Sequence, residues 1–184
     1  MIDVGTGSGG PLLRRARIEP DAYFIGLDAD SSSLREASFR AARPKSRGGL
    51  TNATFIAAGV ALLPGPLADL ADQVTVILPW GSLLSGLLTA EPKLVAGGLR
   101  ALLKPAGRLD LLLSVVESDV GAGGRRLDEA GAHALGATFK PLGLTPTEVR
   151  LADELDLNRL GSSWGRRLGI PRRRQAWILS FRRS

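Results

Sequence analysis

MIDVGTGSGG, residues 1–10, opens the chain as the end of a buried strand that runs straight into a glycine loop. Pro11 follows at once. Proline is tolerated in the first turn of a helix, where its missing N–H would be unpaired anyway, so strand, loop and helix start succeed one another within a dozen residues. Unpaired N–H groups and the positive end of the helix then face the loop, a setting for a phosphate or a carboxylate. Gly5, Gly7, Gly9 and Gly10 are expected to remove every Cβ that would obstruct a ligand there.

Two cofactor chemistries share this geometry. Gly5, Gly7 and Gly10 have the dinucleotide spacing G-x-G-x-x-G, whereas Asp3 with Gly5, Gly7 and Gly9 follows the D-x-G-x-G-x-G pattern of S-adenosylmethionine (SAM) enzymes. Asp3 favours SAM. Two residues ahead of the first glycine, its carboxylate would repel a pyrophosphate but can serve the SAM α-ammonium, directly or through a water. Asp28, 25 residues further on, closes the apolar run AYFIGLD (22–28). An acid at the end of a second strand can hold ribose hydroxyls in either cofactor, so it supports a nucleoside without choosing between them.

Outward from that unit, the chain alternates strand and helix. A helix is expected over 11–18, a strand over Ala22–Asp28, and a helix capped from Ser31–Ser33 and running to about Arg43. RPKSRGGLTN, 43–52, is a basic, glycine-containing loop. Strands follow at Thr54–Ala58 and Val74–Leu78, the second delivering Pro79-Trp80-Gly81-Ser82 at its carboxyl end, where open α/β sheets bind ligands. A helix over Pro92–Leu103, a strand over Arg108–Val116, a break at 121–124 and a weak helix to about Gly136 come next. The last elements are a strand over Leu144–Leu151, a helix or helical loop over Asp153–Leu168, and a strand over Ala176–Phe181. Seven strands with crossover helices make a doubly wound α/β sheet in one domain spanning 1–184.

Composition narrows the chemistry. The 184 residues, 44% of them hydrophobic, suffice for one sizeable core. With no cysteine, disulfides, thiolate catalysis and Cys-ligated zinc are excluded. The single histidine, His133, sits in a Gly/Ala-rich stretch and reads as a surface or half-buried helix residue, which argues against a Ser-His-Asp triad or a His-rich metal site. No metal is expected. No apolar run approaches the roughly 18 residues of a membrane span, and no basic leader precedes one, so neither a span nor a signal peptide is expected; a cytoplasmic monomer away from membranes is the expectation.

Charge is concentrated at one end. Residues 161–184 carry seven arginines and no acid, so the rest of the chain nets −1 against a total of +6. Such a segment suits a polyanion, and the apolar AWILSF (176–181) between its arginine clusters argues against a mere solvated tail.

IDVGTG at 2–7, FIGLDAD at 24–30, RGGLTN at 47–52, LPWGSLL at 78–84 and SSWGRRL at 162–168 occur in this order. Together they resemble the aminoglycoside-resistance 16S rRNA methyltransferases of kanamycin–apramycin type, which act on N1 of adenine 1408 in the 30S subunit. The resemblance implies a Rossmann-like class I SAM-dependent methyltransferase with a seven-stranded, mostly parallel sheet and an antiparallel last strand. It also implies that Trp80 and Trp164 stack on a flipped adenine, with Arg174 beside them as the third catalytic residue. Asp3, Gly5, Gly7, Asp28, Ala29, Val60, Ser82 and Ser162 would form the SAM site, Ser162 also orienting the second tryptophan. Arg167 and Arg174 would hold the flipped nucleotide and its phosphates, and Arg172 and Arg47 the rRNA backbone.

The chain departs from that family at two positions. Ser8 stands where an acid usually follows the second loop glycine, and Val60-Ala61 where an Ala-Glu pair follows the third strand. Met1 falls inside the first strand, so the family's N-terminal extension is expected to be missing. Two other functions fit part of the pattern: an RNA-binding relative with weakened methyl transfer, from Ser8 and Ala61, and a nicotinamide-dependent oxidoreductase, from Gly5, Gly7, Gly10 and Asp28.

Overall fold

The computed structural model describes residues 1–88, 92–119, 126–160, 165, 168–171 and 174–184. One sheet of seven strands runs through them: β1 (Ile2–Val4), β2 (Phe24–Asp28), β3 (Ala53–Ala57), β4 (Ala71–Ile77), β5 (Leu103–Leu113), β6 (Leu144–Leu151) and β7 (Trp177–Arg183). Their spatial order is β3-β2-β1-β4-β5-β7-β6. β1 to β5 are mutually parallel where they pair, and β7 lies antiparallel between β5 and β6. This is the seven-stranded sheet with a reversed last strand that the resemblance implied.

Although only three residues long, β1 sits at the centre, with Ile2 opposite Ile25 on one side and Val74 on the other. All three of its residues are buried. α1 (Gly10–Ile18) begins with Pro11 in its first turn and turns Leu12, Leu13 and Ala16 inward. With α2 (Ser31–Ala41) it covers one face of the β1–β3 half, around Phe24, Ala37 and Ala53. α3 (Gly81–Leu88), α4 (Pro92–Leu102) and α5 (Glu129–Thr138) cover the opposite face, burying Leu87, Leu99 and Leu135 against Val74, Leu111 and Leu179. α6 (Glu154–Leu160) precedes β7.

Three expectations change. The cap of α2 is Asp30, whose Oδ1 accepts from the Ser32 N–H at 2.9 Å, not one of the serines. α3 was not foreseen at all. β5 begins at Leu103, directly after α4, because Leu103 already pairs with Ala71; the ladder then shifts register before Arg108 pairs with Gln73. Of the helix or helical loop expected over 153–168, Glu154–Leu160 is helical, and most of the remainder lies outside the described residues.

The loop before β3 is fixed by side-chain amide chemistry. Asn52 Nδ2 lies 2.9–3.2 Å from the carbonyls of Ala16, Glu19 and Ala22, which ties off the end of α1.

Candidate active site

At the carboxyl ends of β1 to β4 the structure opens a cleft of about 1100 Å³. Asp3, Gly5, Gly7, Asp28, Ala29, Val60, Trp80 and Ser82 all line it, so eight of the residues singled out in the sequence meet in one place. Ser162, Trp164, Arg167 and Arg172 lie outside the described residues.

The floor is built from β1. Asp3 is 7% exposed, and its Oδ1 accepts from the Thr75 hydroxyl at 2.7 Å, Thr75 being its register partner on β4. Burial pushes the Asp3 carboxyl above its ordinary value, against the pull of that hydrogen bond. Gly5 and Thr6 donate their N–H groups to Leu27 O at 2.8 and 3.2 Å, which folds the loop back over β2. Gly7 donates to Asp28 Oδ2 at 2.8 Å, and Asp30 N–H donates to Asp28 Oδ1 at 3.0 Å. A carboxylate has about four acceptor positions, so Asp28 anchors the loop with two and keeps two for a ligand.

The glycines divide into two kinds. A Cβ at Gly7 would meet nothing within 4 Å, so that position is open towards the cleft it lines. At Gly9 a Cβ would lie 2.4 Å from Phe55 Cε1 and 2.7 Å from Ala37 Cβ. Gly9 therefore serves the contact of α1 with the sheet and not a ligand, which corrects the reading of all four glycines as ligand clearance.

Thr6 Oγ1 is buried in the cleft lining beside the Asp3 carboxylate, which it helps to hold down, without a hydrogen bond of good geometry. A buried hydroxyl so poorly paired is costly, and a bound polar ligand would reduce that cost. Together with the open position at Gly7 and the spare acceptors of Asp28, it makes a site suited to an amino-acid-bearing nucleoside.

β4 supplies the other wall. It ends at Ile77, and Trp80 stands beyond it, 46% exposed, with the Arg174 guanidinium 6.0 Å from its ring centroid. Arg174 is held from behind: Nε donates to Ser114 Oγ at 2.7 Å, and Nη2 donates to Ser114 O at 2.6 Å and to Asp119 Oδ2. The Arg174 and Asp119 side chains are 12% and 4% exposed, so this is a desolvated ion pair. Asp119 and Ser114 were missed from the sequence. Ser114 had a faint signal as the first polar residue after LLL; Asp119 had none. Thr75 was missed as well, although as the single polar residue in VTVIL it carried a signal.

Against this geometry, the sequence profile of the 16S rRNA (adenine(1408)-N(1))-methyltransferase (NpmA) family matches residues 1–182. The chain belongs to that family. Among curated members, the Streptoalloteichus hindustanus 16S rRNA (adenine(1408)-N(1))-methyltransferase is 31% identical over 179 residues, covering 95% of this chain and 82% of its own. The Escherichia coli member is 26% identical, with coverages of 97% and 84%. Among solved structures, a tryptophan-to-alanine mutant of the Catenulisporales acidiphilia enzyme, with cosubstrate SAM, superposes with a TM-score of 0.85 at 29% identity. It covers 99% of this chain and 84% of that one. The aminoglycoside resistance methyltransferase NpmB1 gives 0.83 at 33% identity, covering 100% and 86%.

Membership of the adenine-1408 methyltransferases resolves the choice that the glycine loop left open, in favour of SAM over a nicotinamide dinucleotide. It leaves the basic residues to be placed. Arg47 lies in a 3-10 turn, Lys45–Arg47, at the amino end of β3, so the structure does not bring it to the cleft. It lines a shallow groove with Phe39, Ala42, Arg43 and Pro44. Arg182 and Arg183 are also remote. Arg182 pairs in register with Arg108 and donates to Ala106 O at 2.8 Å, and Arg183 bonds Asp69 and Leu103 O. Because β7 is antiparallel, its last residues sit at the end of the sheet opposite the cleft. The seven C-terminal arginines are therefore not one footprint.

His133 is an exposed residue of α5, and no group of acids and histidine able to hold a metal occurs among the described residues. Among them, no helix is long and apolar enough to cross a membrane.

Proposed function

We infer that this chain is a SAM-dependent methyltransferase that methylates N1 of adenine 1408 in 16S rRNA and so confers aminoglycoside resistance. The observation that carries the reading is the meeting of Asp3, Gly5, Gly7, Asp28, Ala29, Val60 and Ser82 with Trp80 in one cleft of a chain of this family. The 30S subunit is the proposed form of the substrate, residues 1–184 act as one monomeric domain, and the site of action is the cytoplasm, where ribosomes are found.

SAM supplies an electrophilic methyl group on a sulfonium sulfur. The residues that would hold it are Asp3 and the Gly5–Gly7 loop on the amino-acid side, Asp28 at the ribose, and Ala29 and Val60 beside the adenine, with Ser82 and Ser162 near the reacting end.

Adenine N1 carries an in-plane lone pair and would form its bond to the methyl carbon as the carbon–sulfur bond breaks and S-adenosylhomocysteine leaves with that electron pair, so no general base is required. This suits a cleft in which no histidine or cysteine is found. The chain's work is alignment, for which effective molarity can contribute about 7 kcal/mol or more. N1 is hidden in a stacked helix, and extruding the base costs a few kcal/mol. Trp80, with Trp164 on the second face, returns about 1–3 kcal/mol per stacked base. Arg174 already spends three N–H contacts on Ser114 and Asp119, so its Nη1 is the group left to meet a phosphate of the flipped nucleotide. Arg167, Arg172 and Arg47 would neutralise rRNA phosphates, making affinity fall with salt.

The test is transfer of label from methyl-tritiated SAM to purified 30S subunits, read together with a reverse-transcription stop at adenine 1408. Trp80→Ala should abolish both signals. Read-through at that adenine after treatment with wild-type protein, with no label incorporated, would overturn the reading. Salt-dependent 30S binding without label would favour the weakened relative, for which Ser8 and Ala61, both in the cleft lining, are the specific observation.

A further inference from the structure

We infer that Leu78 is a positioning residue that aims Trp80 into the cleft, an inference whose functional meaning rests on the role proposed for Trp80 above. Three non-glycine residues have positive φ among those described: Asp69 (53°), Leu78 (49°) and Ala106 (60°). Asp69 and Ala106 are exposed. Leu78 is 5% exposed and lines the cleft. A left-handed backbone crowds Cβ against the following carbonyl, and a residue that precedes proline is normally pushed towards extended conformations. Such a state persists only where the surroundings over-determine it, and outliers of this kind gather at functional sites.

The surroundings of Leu78 do this in two ways. Its N–H donates to Leu112 O at 2.8 Å, so the chain is pinned to β5 up to the turn itself. Its side chain sits in an apolar block with Leu112, Ile170, Ala176 and Ile178, against which Leu157 and Leu168 pack. Ile170 and Leu168 come from the connection that leads into β7, so the block is built by elements far apart in sequence. With Leu78 extended, β4 would continue along the ladder and carry Pro79 and Trp80 in line with the sheet. Turned left-handed, it breaks the strand after Ile77. Trp80 is thereby left in the cleft wall, with its carbonyl accepting from Leu84 N–H at 3.5 Å at the start of α3.

The test labels the full chain with 5-fluorotryptophan and assigns its three resonances through single Trp→Phe variants. Leu78→Met keeps an apolar side chain of similar volume that, like leucine, is unbranched at Cβ, and should leave the Trp80 resonance where it is. Leu78→Ile keeps volume and apolarity but is β-branched, which a left-handed backbone resists most strongly. It should shift or split the Trp80 resonance, leave Trp177 unmoved, and lower turnover on 30S subunits about ten-fold or more, as small misplacements of reacting groups do. Identical Trp80 resonances in the two variants would overturn the inference. Should Leu78→Ile fail to fold, Leu78→Ala and Leu78→Gly decide. Both lose the side chain, but glycine regains the freedom of φ. The glycine variant should then melt no lower than the alanine variant and show a broadened Trp80 signal; a glycine variant that melts lower refutes the strain. A shifted resonance with no methyl transfer even by wild type would sink the proposed function and leave the positioning intact. An unmoved resonance in an active enzyme would sink the positioning alone.

Discussion

Replacing Gly7 and Gly9 separately by alanine should break the loop in two different ways. Both have positive φ, 54° and 63°. Each alanine therefore costs about 1–2 kcal/mol of left-handed strain, offset in both by about 0.4–1 kcal/mol of reduced unfolded-chain entropy. Gly9→Ala carries a second penalty, because its Cβ would approach Phe55 to 2.4 Å and Ala37 to 2.7 Å where nothing can yield cheaply. Overpacking of that kind costs about 1–3 kcal/mol. For a chain of this length, each kcal/mol lowers Tm by about 2–4 °C, so Gly9→Ala should melt about 2–12 °C below Gly7→Ala. Binding should run the other way. The Gly7 Cβ meets no protein atom and enters the space proposed for SAM, so calorimetric titration with S-adenosylhomocysteine should show at least a ten-fold loss for Gly7→Ala. Gly9→Ala, at temperatures where it is folded, should bind close to wild type. If Gly7→Ala melts below Gly9→Ala, or binds S-adenosylhomocysteine like wild type, the division into a ligand glycine and a packing glycine is wrong.

Three further outcomes are expected. Asp119→Ala leaves the Arg174 guanidinium desolvated without a counter-charge, which should cost about 3–5 kcal/mol in urea unfolding, part of it recovered in the double variant with Arg174→Met; a loss below about 1 kcal/mol would show the pair to be solvated. Asp3 has its carboxyl raised by burial, so its ionisation opposes folding: that penalty is present above the raised value and vanishes as pH falls through it towards the ordinary 3.8. Asp3→Asn should thus gain stability relative to wild type at neutral pH and lose that gain on acidification, read from Tm across pH; a constant difference would refute the assignment. Ala61→Glu places in the cleft lining the acid that the resemblance implies at this position and should tighten S-adenosylhomocysteine binding several-fold by calorimetry, weaker binding being the contrary result.

The strand–loop–helix unit was legible because local chemistry dictates it. Glycines, Pro11 and an apolar run leave little else for residues 1–18 to form, and Asp28 falls where a second strand must end. α3 was illegible because GSLLSGLL has two glycines, two serines and neither an acid nor a cap; it is helical because Leu84 and Leu87 bury against the sheet. The start of β5 was hidden by Pro105 and Gly107, which read as a turn, whereas the strand accommodates them with Ala106 at positive φ and a register shift opposite. Counting charge along the chain joined Arg174 to Arg182 and Arg183. Strand direction parts them, since an antiparallel β7 has its two ends at opposite ends of the sheet. Leu78 looked like one more apolar residue in a strand, because a backbone angle leaves no trace in residue type when burial and not glycine enforces it.

The position of the cleft follows from how the chain leaves two neighbouring strands. After β1 it crosses to α1, on the face of Leu12 and Phe24; after β4 it crosses to α3 and α4, on the face of Val74 and Leu111. Connections that diverge to opposite faces leave a crevice between them, and open α/β sheets bind their ligands there. The division also assigns work to the two halves. Asp3, Gly5, Gly7, Asp28, Ala29 and Val60 come from the β1–β3 side, while Trp80, Ser82 and Arg174 come from β4 and beyond. Cofactor and base are therefore expected to be separable by substitution. Trp80→Ala should keep S-adenosylhomocysteine affinity within about three-fold of wild type while methyl transfer disappears, because a stacking face worth about 1–3 kcal/mol is lost only for the base. Asp28→Ala should weaken S-adenosylhomocysteine at least ten-fold, because it removes both the ribose acceptors and the anchor of Gly7 N–H. Loss of S-adenosylhomocysteine binding in Trp80→Ala as complete as in Asp28→Ala would mean that the tryptophan is part of the cofactor wall, and the base would then have to be held from elsewhere.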